Sequence, residues 1–358
     1  MIINNNRAVQ NGWSMLKYLY SELRSRRFND VDVTSLESLD ELYAVVITKW
    51  CENIAKEGLY KEYITIENEE LSSPRGQINV QESIIQQSLT RGKLICSYDE
   101  FSEDIYMNHI LKGSLQYLSL NKDFNRDLQT KIAKTMQLYN GVGYTDITNI
   151  KWKTIKYTNQ NIRYKHLIEM CHTMVDEQRL KITTDMTDDD RLYLLFKKQL
   201  IKWYQKEYGD EDIVEIMLVP WELDVEPKFE VKSNKNNRLI IIRTETDALV
   251  IGIRLQNELF FEDPKLVKVF QNDMVRHLRE VKDEYKLKTN GVMIYVNPDK
   301  TKLNLQPITM NNVDGYMIGE TVVDLHDQWR YIEVKLKDAY DYFIGRAKNK
   351  RKKNITKK

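Results

Sequence analysis

Residues 243–265 read RTETDALVIGIRLQNELFFEDPK, and the fold of the second half of the chain turns on how this stretch is read. Two apolar runs, ALVIGI (248–253) and ELFF (258–261), are separated by the polar RLQN. Short apolar runs bounded by turn residues read as strands. Asp247 precedes the first run, and Asp263 and Lys265 follow the second. One reading is a hairpin with acids at its ends. The other is a strand leading into a helix that opens at Asp263-Pro264, because Asp as N-cap followed by Pro at the first helical position is a standard helix start.

Working outward, VEIMLVPW (214–221), EPKFEVK (226–232) and RLIIIRT (238–244) read as strands before this stretch. After it, a helix is expected from Asp263 to about Tyr285, with Leu266, Phe270, Met274, Leu278, Val281 and Tyr285 on one stripe. Strands GVMIYV (291–296) and GYMIGETVVDL (315–325) and a helix around 329–344 complete an α/β sandwich order. Thr187 stands three residues before Asp190, a capping-box variant that opens a helix over 191–209. A boundary therefore falls near residues 181–190. The first half is mixed. Helices are expected over 11–27, 38–58 (Gly58 as C-cap), 102–120 and 161–178, and a hairpin over 60–80 around Ser-Ser-Pro-Arg-Gly.

Composition is ordinary for a globular chain: 42% hydrophobic and 30% charged. The N-terminus lacks a signal-peptide pattern and no apolar run approaches a membrane span. Cys51, Cys96 and Cys171 form no CxxC pair, so reduced thiols and a cytoplasmic location are expected. Net charge is +1, but residues 345–358 carry eight Lys/Arg and no acid, which leaves the rest at −7. Such a tail can neutralise phosphates without reading sequence, or simply be solvated. No GxxxxGK[ST] motif is present, so nucleotide binding by this chain is not supported. His166, Cys171 and His172 lack a usual zinc spacing and are read as packing residues. Asp188, Asp189 and Asp190 sit where a helix N-terminus favours carboxylates, so they read as helix-start residues rather than as a metal cluster. Trp203, Tyr204, Tyr208 and Trp221 are read as core or interface.

Four segments together resemble the McrC family, the nuclease subunit of McrBC-type modification-dependent restriction systems. VQNGWSMLKYLYSEL near the start resembles its opening helix. SSPRGQINV (72–80) resembles its basic-Gly-basic-Ile hairpin, with Gln77 where a second basic residue is usual. SYDEFSEDIYMNHILK (97–112) resembles its acidic helix start, and NIRYKHLIEMC (161–171) its Asn-x-Arg-Tyr helix. The resemblance implies an N-terminal domain (1–185) that docks on a hexameric AAA+ GTPase of McrB type and stimulates it. It implies a PD-(D/E)xK nuclease domain (186–345) that cuts DNA with Mg²⁺, followed by a basic tail (346–358). GTP and the modified base would be bound by the partner. Arg75 and Gln77 are candidate contacts to that GTPase, or residues of a plain surface turn.

The family places T-D before its second core strand and D-x-K after its third. RTETD (243–247) and Asp263-Pro264-Lys265 stand in these places. The resemblance thus makes Asp247 and Asp263 metal ligands and Lys265 the residue that positions the attacking water. The chemistry suits the residue types. Mg²⁺ takes oxygen ligands and needs only one or two carboxylates, and a cation offsets transition-state charge. Pro264 departs from the pattern, since proline is poor inside a central strand. Register also matters. A two-residue turn at Leu255-Gln256 would point Asp247 away from Asp263 and Lys265, while a bulge would bring them together. If RLIIIRT is the third strand, Arg243 and Glu245 fill the D-x-K positions and the site is dead. Three functions follow: a Mg²⁺-dependent endonuclease subunit, a non-cutting adaptor that activates the AAA+ partner, or a stand-alone nucleic-acid-binding protein using its basic tail.

Overall fold

The computed structural model describes residues 6–184, 186–208, 213–219, 237–255, 264–297, 309–325 and 329–345. The chain is mixed α/β and divides into two compact units, Tyr43–Asp176 and a discontinuous one made of Met1–Leu42 with Glu177–Lys358. This differs from the chain-order split expected near residue 185, because the first helix belongs with the C-terminal unit. Among the described residues, no helix is long and apolar enough to cross a membrane.

The Tyr43–Asp176 unit begins inside helix α2 (Leu39–Glu57). Asp40 and Glu41 complement the dipole at its start, and Gly58, at φ 99°, ends it as a left-handed C-cap. Tyr43, Val46, Ile47, Trp50 and Ile54 give it a buried stripe at helical spacing. Strands β1 (Glu62–Leu71), β2 (Gln77–Ile78) and β3 (Leu94–Ser102) form a sheet in the order β1-β3-β2. The expected hairpin over 60–80 is therefore not formed. β1 and β2 both pair antiparallel with β3 rather than with each other. The short helix α3 (Val80–Ile85) lies between β2 and β3 in the chain, capped by the Asn79 side chain accepting from Glu82 N at 3.1 Å. Helices α4 (Tyr106–Ser119), α5 (Arg126–Gln137) and α6 (Lys165–Thr184) follow. Residues 97–102, expected to lead a helix, are the end of β3. Helix α5 was not anticipated, because its sequence is largely polar and only Leu128, Ile132 and Thr135 are buried.

In the other unit, α1 (Asn6–Leu19) is shorter than the expected helix and gives way to 3₁₀ turns at Ser21–Arg24 and Arg26–Phe28. It packs with α7 (Asp188–Tyr208). A Cβ on Gly12 would meet Leu39 at 2.7 Å and Leu192 at 3.7 Å, and Asn11 donates to the Leu325 carbonyl at 2.9 Å. The capping box forms as read: Asp190 accepts from Thr187 N at 2.9 Å, and Thr187 Oγ1 accepts from Asp190 N at 3.2 Å.

Strands β4 (Ile213–Val219), β5 (Asn237–Arg243), β6 (Asp247–Leu255), β7 (Lys288–Asn297), β8 (Thr309–Val313) and β9 (Tyr316–Asp324) make a sheet ordered β4-β5-β6-β7-β9-β8. β4 pairs antiparallel with β5 and β5 antiparallel with β6, and β7 runs parallel to β6 after the crossover helix α8 (Pro264–Tyr285). Helix α9 (Trp329–Tyr340) follows β9. One sheet face carries Leu239, Ile241, Ala248 and Val250 against Phe270, Met274, Leu278 and Val281 of α8. The alternation of β5 and β6 meets the 3.6 period of α8 there, which is how a parallel crossover buries both elements.

β6 is an inner strand, with β5 on one edge and β7 on the other. The expected hairpin of 248–253 with 258–262 is thus excluded over residues 248–251, because a strand has only two edges and both are taken. Residues 258–262 themselves, the strand expected at 226–232, and Trp221 lie outside the described residues.

Candidate functional site

Asp247 sits at the turn between β5 and β6. Its backbone N–H donates to Thr244 Oγ1 at 3.0 Å, and its own carbonyl accepts from Thr244 N at 2.9 Å. Its carboxylate accepts the Thr246 hydroxyl at 2.6 Å. The residue is only 7% exposed. The Thr-x-Thr-Asp spacing thus folds locally as a hydroxyl-braced hairpin turn, as Ser/Thr and Asp side chains favour.

Lys265 occupies the first turn of α8 and is exposed. Pro264 is the first residue of the helix, the position proline favours. Asp263 lies outside the described residues. Two independent lengths separate Asp247 from Lys265. β6 has nine residues, which at about 3.3 Å per residue carries the chain about 26 Å away from Asp247. Helix α8 has 22 residues and then returns about 30 Å, so that Lys288, just beyond its far end, pairs with Asp247. Asp247 therefore lies at the C-terminal end of α8 and Lys265 at its N-terminal end. The two do not meet, and no single Mg²⁺ site can include both. Among the described residues, no group of three His, Cys, Asp or Glu side chains is arranged to hold a metal ion.

At the Lys265 end of the sheet, a partly buried polar cluster lies under α8 that the sequence alone does not reveal. Arg254 on β6 is fully buried, with its guanidinium 3.9 Å from the Phe270 ring centroid. Its register neighbour Tyr295 on β7 donates to Glu320 on β9 at 2.8 Å. Gln271 of α8 donates to both Glu320 oxygens at 3.1 Å, and the Asn311 amide also donates to Glu320. Burial, then the Glu320 charge, pushes the Tyr295 hydroxyl far above the usual range, so it stays a proton donor. The available signal was Arg254 interrupting an apolar strand in phase with its inward positions. The partners at 271, 295, 311 and 320 are too far along the chain to be paired by pattern.

In the other unit, the Arg75 guanidinium lies 4.0 Å over the Tyr98 ring. Gly76 holds φ 65°, and a Cβ there would come 2.4 Å from the Ser97 carbonyl oxygen. Gln77 follows in β2, exposed and paired with Ser97. The hairpin-like motif is thus a tight crossing of the chain over β3. Cys171 and His172 have packing roles: Cys171 is buried, its thiol pushed up to about 12 by burial, and His172 stacks on Trp152 at 4.7 Å and contacts Asp176 at 3.0 Å. Trp203 and Tyr204 are buried beside Tyr208 and Trp329.

A family model described as McrBC 5-methylcytosine restriction system component matches residues 3–267. The Type IV methyl-directed restriction enzyme EcoKMcrBC of Escherichia coli (strain K12) is 21% identical over 358 residues, covering 94% of this chain and 98% of that relative. Among solved structures, a refined half-complex from a tetradecameric assembly of Thermococcus gammatolerans McrB AAA+ hexamers with bound McrC aligns over 92% of this chain and 76% of that chain. Its TM-score is 0.51 at 13% sequence identity, a likeness of fold.

Proposed function

The chain belongs to the McrBC 5-methylcytosine restriction system component family, and from that premise we propose that it is the McrC-type subunit of a McrBC-like phage-defence complex. It assembles with an AAA+ GTPase ring of McrB type, which holds the GTP and recognises the modified DNA. The N-terminal part docks on that ring and stimulates its hydrolysis. The C-terminal part is a PD-(D/E)xK-type domain directed at DNA. Support for this last assignment comes from the adjacent antiparallel strands β4-β5-β6, with the parallel strand β7 reached through α8. That arrangement offers three adjacent antiparallel strands and a parallel crossover, the kind of framework such a domain is built on.

The separation of Asp247 from Lys265 carries the choice between cutting and non-cutting forms. A Mg²⁺ site made of Asp247, Asp263 and Lys265 needs them within a few ångströms, and β6 and α8 hold two of them at opposite ends. We therefore favour the adaptor reading, in which this chain activates the AAA+ ring and another subunit cuts. The test is a reconstituted complex assayed for GTP hydrolysis and for DNA cleavage. On the adaptor reading, Asp247→Asn and Lys265→Ala leave both activities at wild-type level. Loss of cleavage in either variant with GTPase stimulation intact would establish the cutting form instead.

A further inference from the structure

Between residues 147 and 168 the chain has five Lys/Arg (Lys151, Lys153, Lys156, Arg163 and Lys165) and no Asp or Glu. This is a local segregation of charge, because the Tyr43–Asp176 unit as a whole is balanced at 16 Lys/Arg and 16 Asp/Glu. A surface that is merely solvated intersperses the two signs. Two of the five have work within the unit. Arg163 donates to the Gly58 carbonyl at 2.6 Å and lies 3.8 Å from Glu57, and Lys165 is half-buried at the start of α6. Lys151, Lys153 and Lys156 are exposed, and among the described residues none of the three forms an ion pair. Asp146, the acid that precedes this stretch, is occupied locally. Its carboxylate accepts from Thr148 N at 2.9 Å, from the Thr148 hydroxyl at 2.8 Å and from the Asn149 amide at 2.8 Å.

The segment that carries the three lysines is anchored. The Trp152 ring stacks on His172 of α6, with centroids 4.7 Å apart. Residues Trp152–Thr154 form a 3₁₀ turn, in which Thr154 donates to the Lys151 carbonyl through its N–H at 2.9 Å and its hydroxyl at 2.8 Å. Trp152, Ile155 and Tyr157 are half-buried, while the lysines between and beside them stay exposed. The apolar residues thus fix the backbone and leave three cations facing solvent within six residues. Like charges held that close repel one another, and a polyanion relieves the repulsion at little ordering cost because the backbone is already placed.

We infer that the Lys151–Lys156 segment is a binding surface for the phosphodiester backbone of nucleic acid, used without regard to base sequence. A lysine ammonium serves a phosphate as a point charge, and each contact releases a condensed counterion. The inference goes beyond the subunit assignment above: it puts a nucleic-acid contact in the Tyr43–Asp176 unit as well as in the C-terminal part.

The experiment measures binding of the full-length chain to a DNA duplex by fluorescence anisotropy, from about 50 to 200 mM salt. The variants are Lys151→Gln with Lys153→Gln and Lys156→Gln, the same three positions changed to Arg, and deletion of residues 346–358. A lysine that neutralises one phosphate contributes about 0.9 to the slope of log affinity against log salt, so the Gln variant is expected to lose about 2.7 of that slope, equally for unrelated duplex sequences. The Arg variant keeps the charge and is expected to retain wild-type slope, with both variants melting as wild type does because the positions are exposed. A slope loss below about one in the Gln variant overturns the inference, and so does the absence of any binding by wild type at low salt. If deletion of residues 346–358 alone abolishes binding, the tail is the contact and the inference falls. If the Gln variant binds DNA normally but no longer associates with the AAA+ partner, the surface serves a protein and the inference falls. The McrC-type reading is tested separately, by stimulation of GTP hydrolysis, and none of these DNA-binding results decides it.

Discussion

Asp247 shows how one residue can fit a chemical pattern and a structural one. Its carboxylate accepts the Thr246 hydroxyl at 2.6 Å and its backbone closes the β5–β6 turn with Thr244. Thr187 is simpler. Replacing it with Ala removes the side-chain acceptor for Asp190 N, and a loss of about 1 kcal/mol in denaturant unfolding is expected. Arg191 is fully buried at the start of α7, with Asp40 at 2.8 Å, Asp188 at 3.1 Å and Glu177 at 3.2 Å. Its partners come from α2, α6 and α7, so no sequence pattern announced it. Arg191→Met strands these carboxylates without their cation and is expected to cost about 3–5 kcal/mol, read from the unfolding midpoint. Asp104 offers a pH test. The Gly143 N–H donates to its carboxylate, and the His109 ring lies 2.6 Å away. These hold its carboxyl below the usual carboxylate range. A folded-state depression adds stability above the unfolded pKa of about 3.9, and this is lost as pH falls through the lower folded value. Asp104→Asn is therefore expected to be less stable than wild type near pH 7, and the difference to shrink as pH falls below the usual carboxylate range, in a pH series of thermal melts.

At the scale of elements, helices were legible where an apolar stripe coincided with start and stop residues. α2 has its acidic first turn and Gly58, α7 has its Thr187–Asp190 box, and α8 has Pro264 and its inward stripe. α5 was missed because helix-forming polar residues with three buried positions leave little period to read. Strands β1 and β2 and strands β4, β5, β6, β7 and β9 fall where alternation or apolar runs place them, β3 and β8 do not, and the pairing was not legible. The alternation of 60–80 locates β1, but its partner β3 lies beyond α3, and ALVIGI was given a neighbour from the next segment when β5 and β7 already flank it. Pairing is a non-local choice made by burial, and alternation is the same whichever partner wins. Gly76 marks where this choice is enforced. Gly76→Ala would meet both a positive φ and the Ser97 carbonyl, so the β2–β3 crossing should loosen. Faster hydrogen exchange of the Gln77 and Ile78 amides, with the other unit unchanged, is the expected readout.

At the scale of the molecule, the C-terminal unit is built from both ends of the chain. Asn11 donates to Leu325 O, Tyr18 lies 5.7 Å from Trp329, and Lys202 donates to Leu19 O. A fragment of residues 186–358 therefore lacks a helix whose Trp13, Leu16 and Leu19 are buried in the full chain. It is expected to melt non-cooperatively or aggregate, and co-expression with residues 1–42 should restore a cooperative transition by circular dichroism.

The kind of chain this is was legible in its residues alone: a mixed α/β protein with McrC-like segments in order, most of its helices, and most of its described strands. These are local properties, set by period, caps and composition. The tertiary structure alone decided which strands are neighbours, that α1 joins the C-terminal unit, and that Asp247 and Lys265 lie at opposite ends of β6 and α8. Eighteen residues of sequence separation became a strand length rather than a site, because an inner strand must run its full course before the chain can turn back over it.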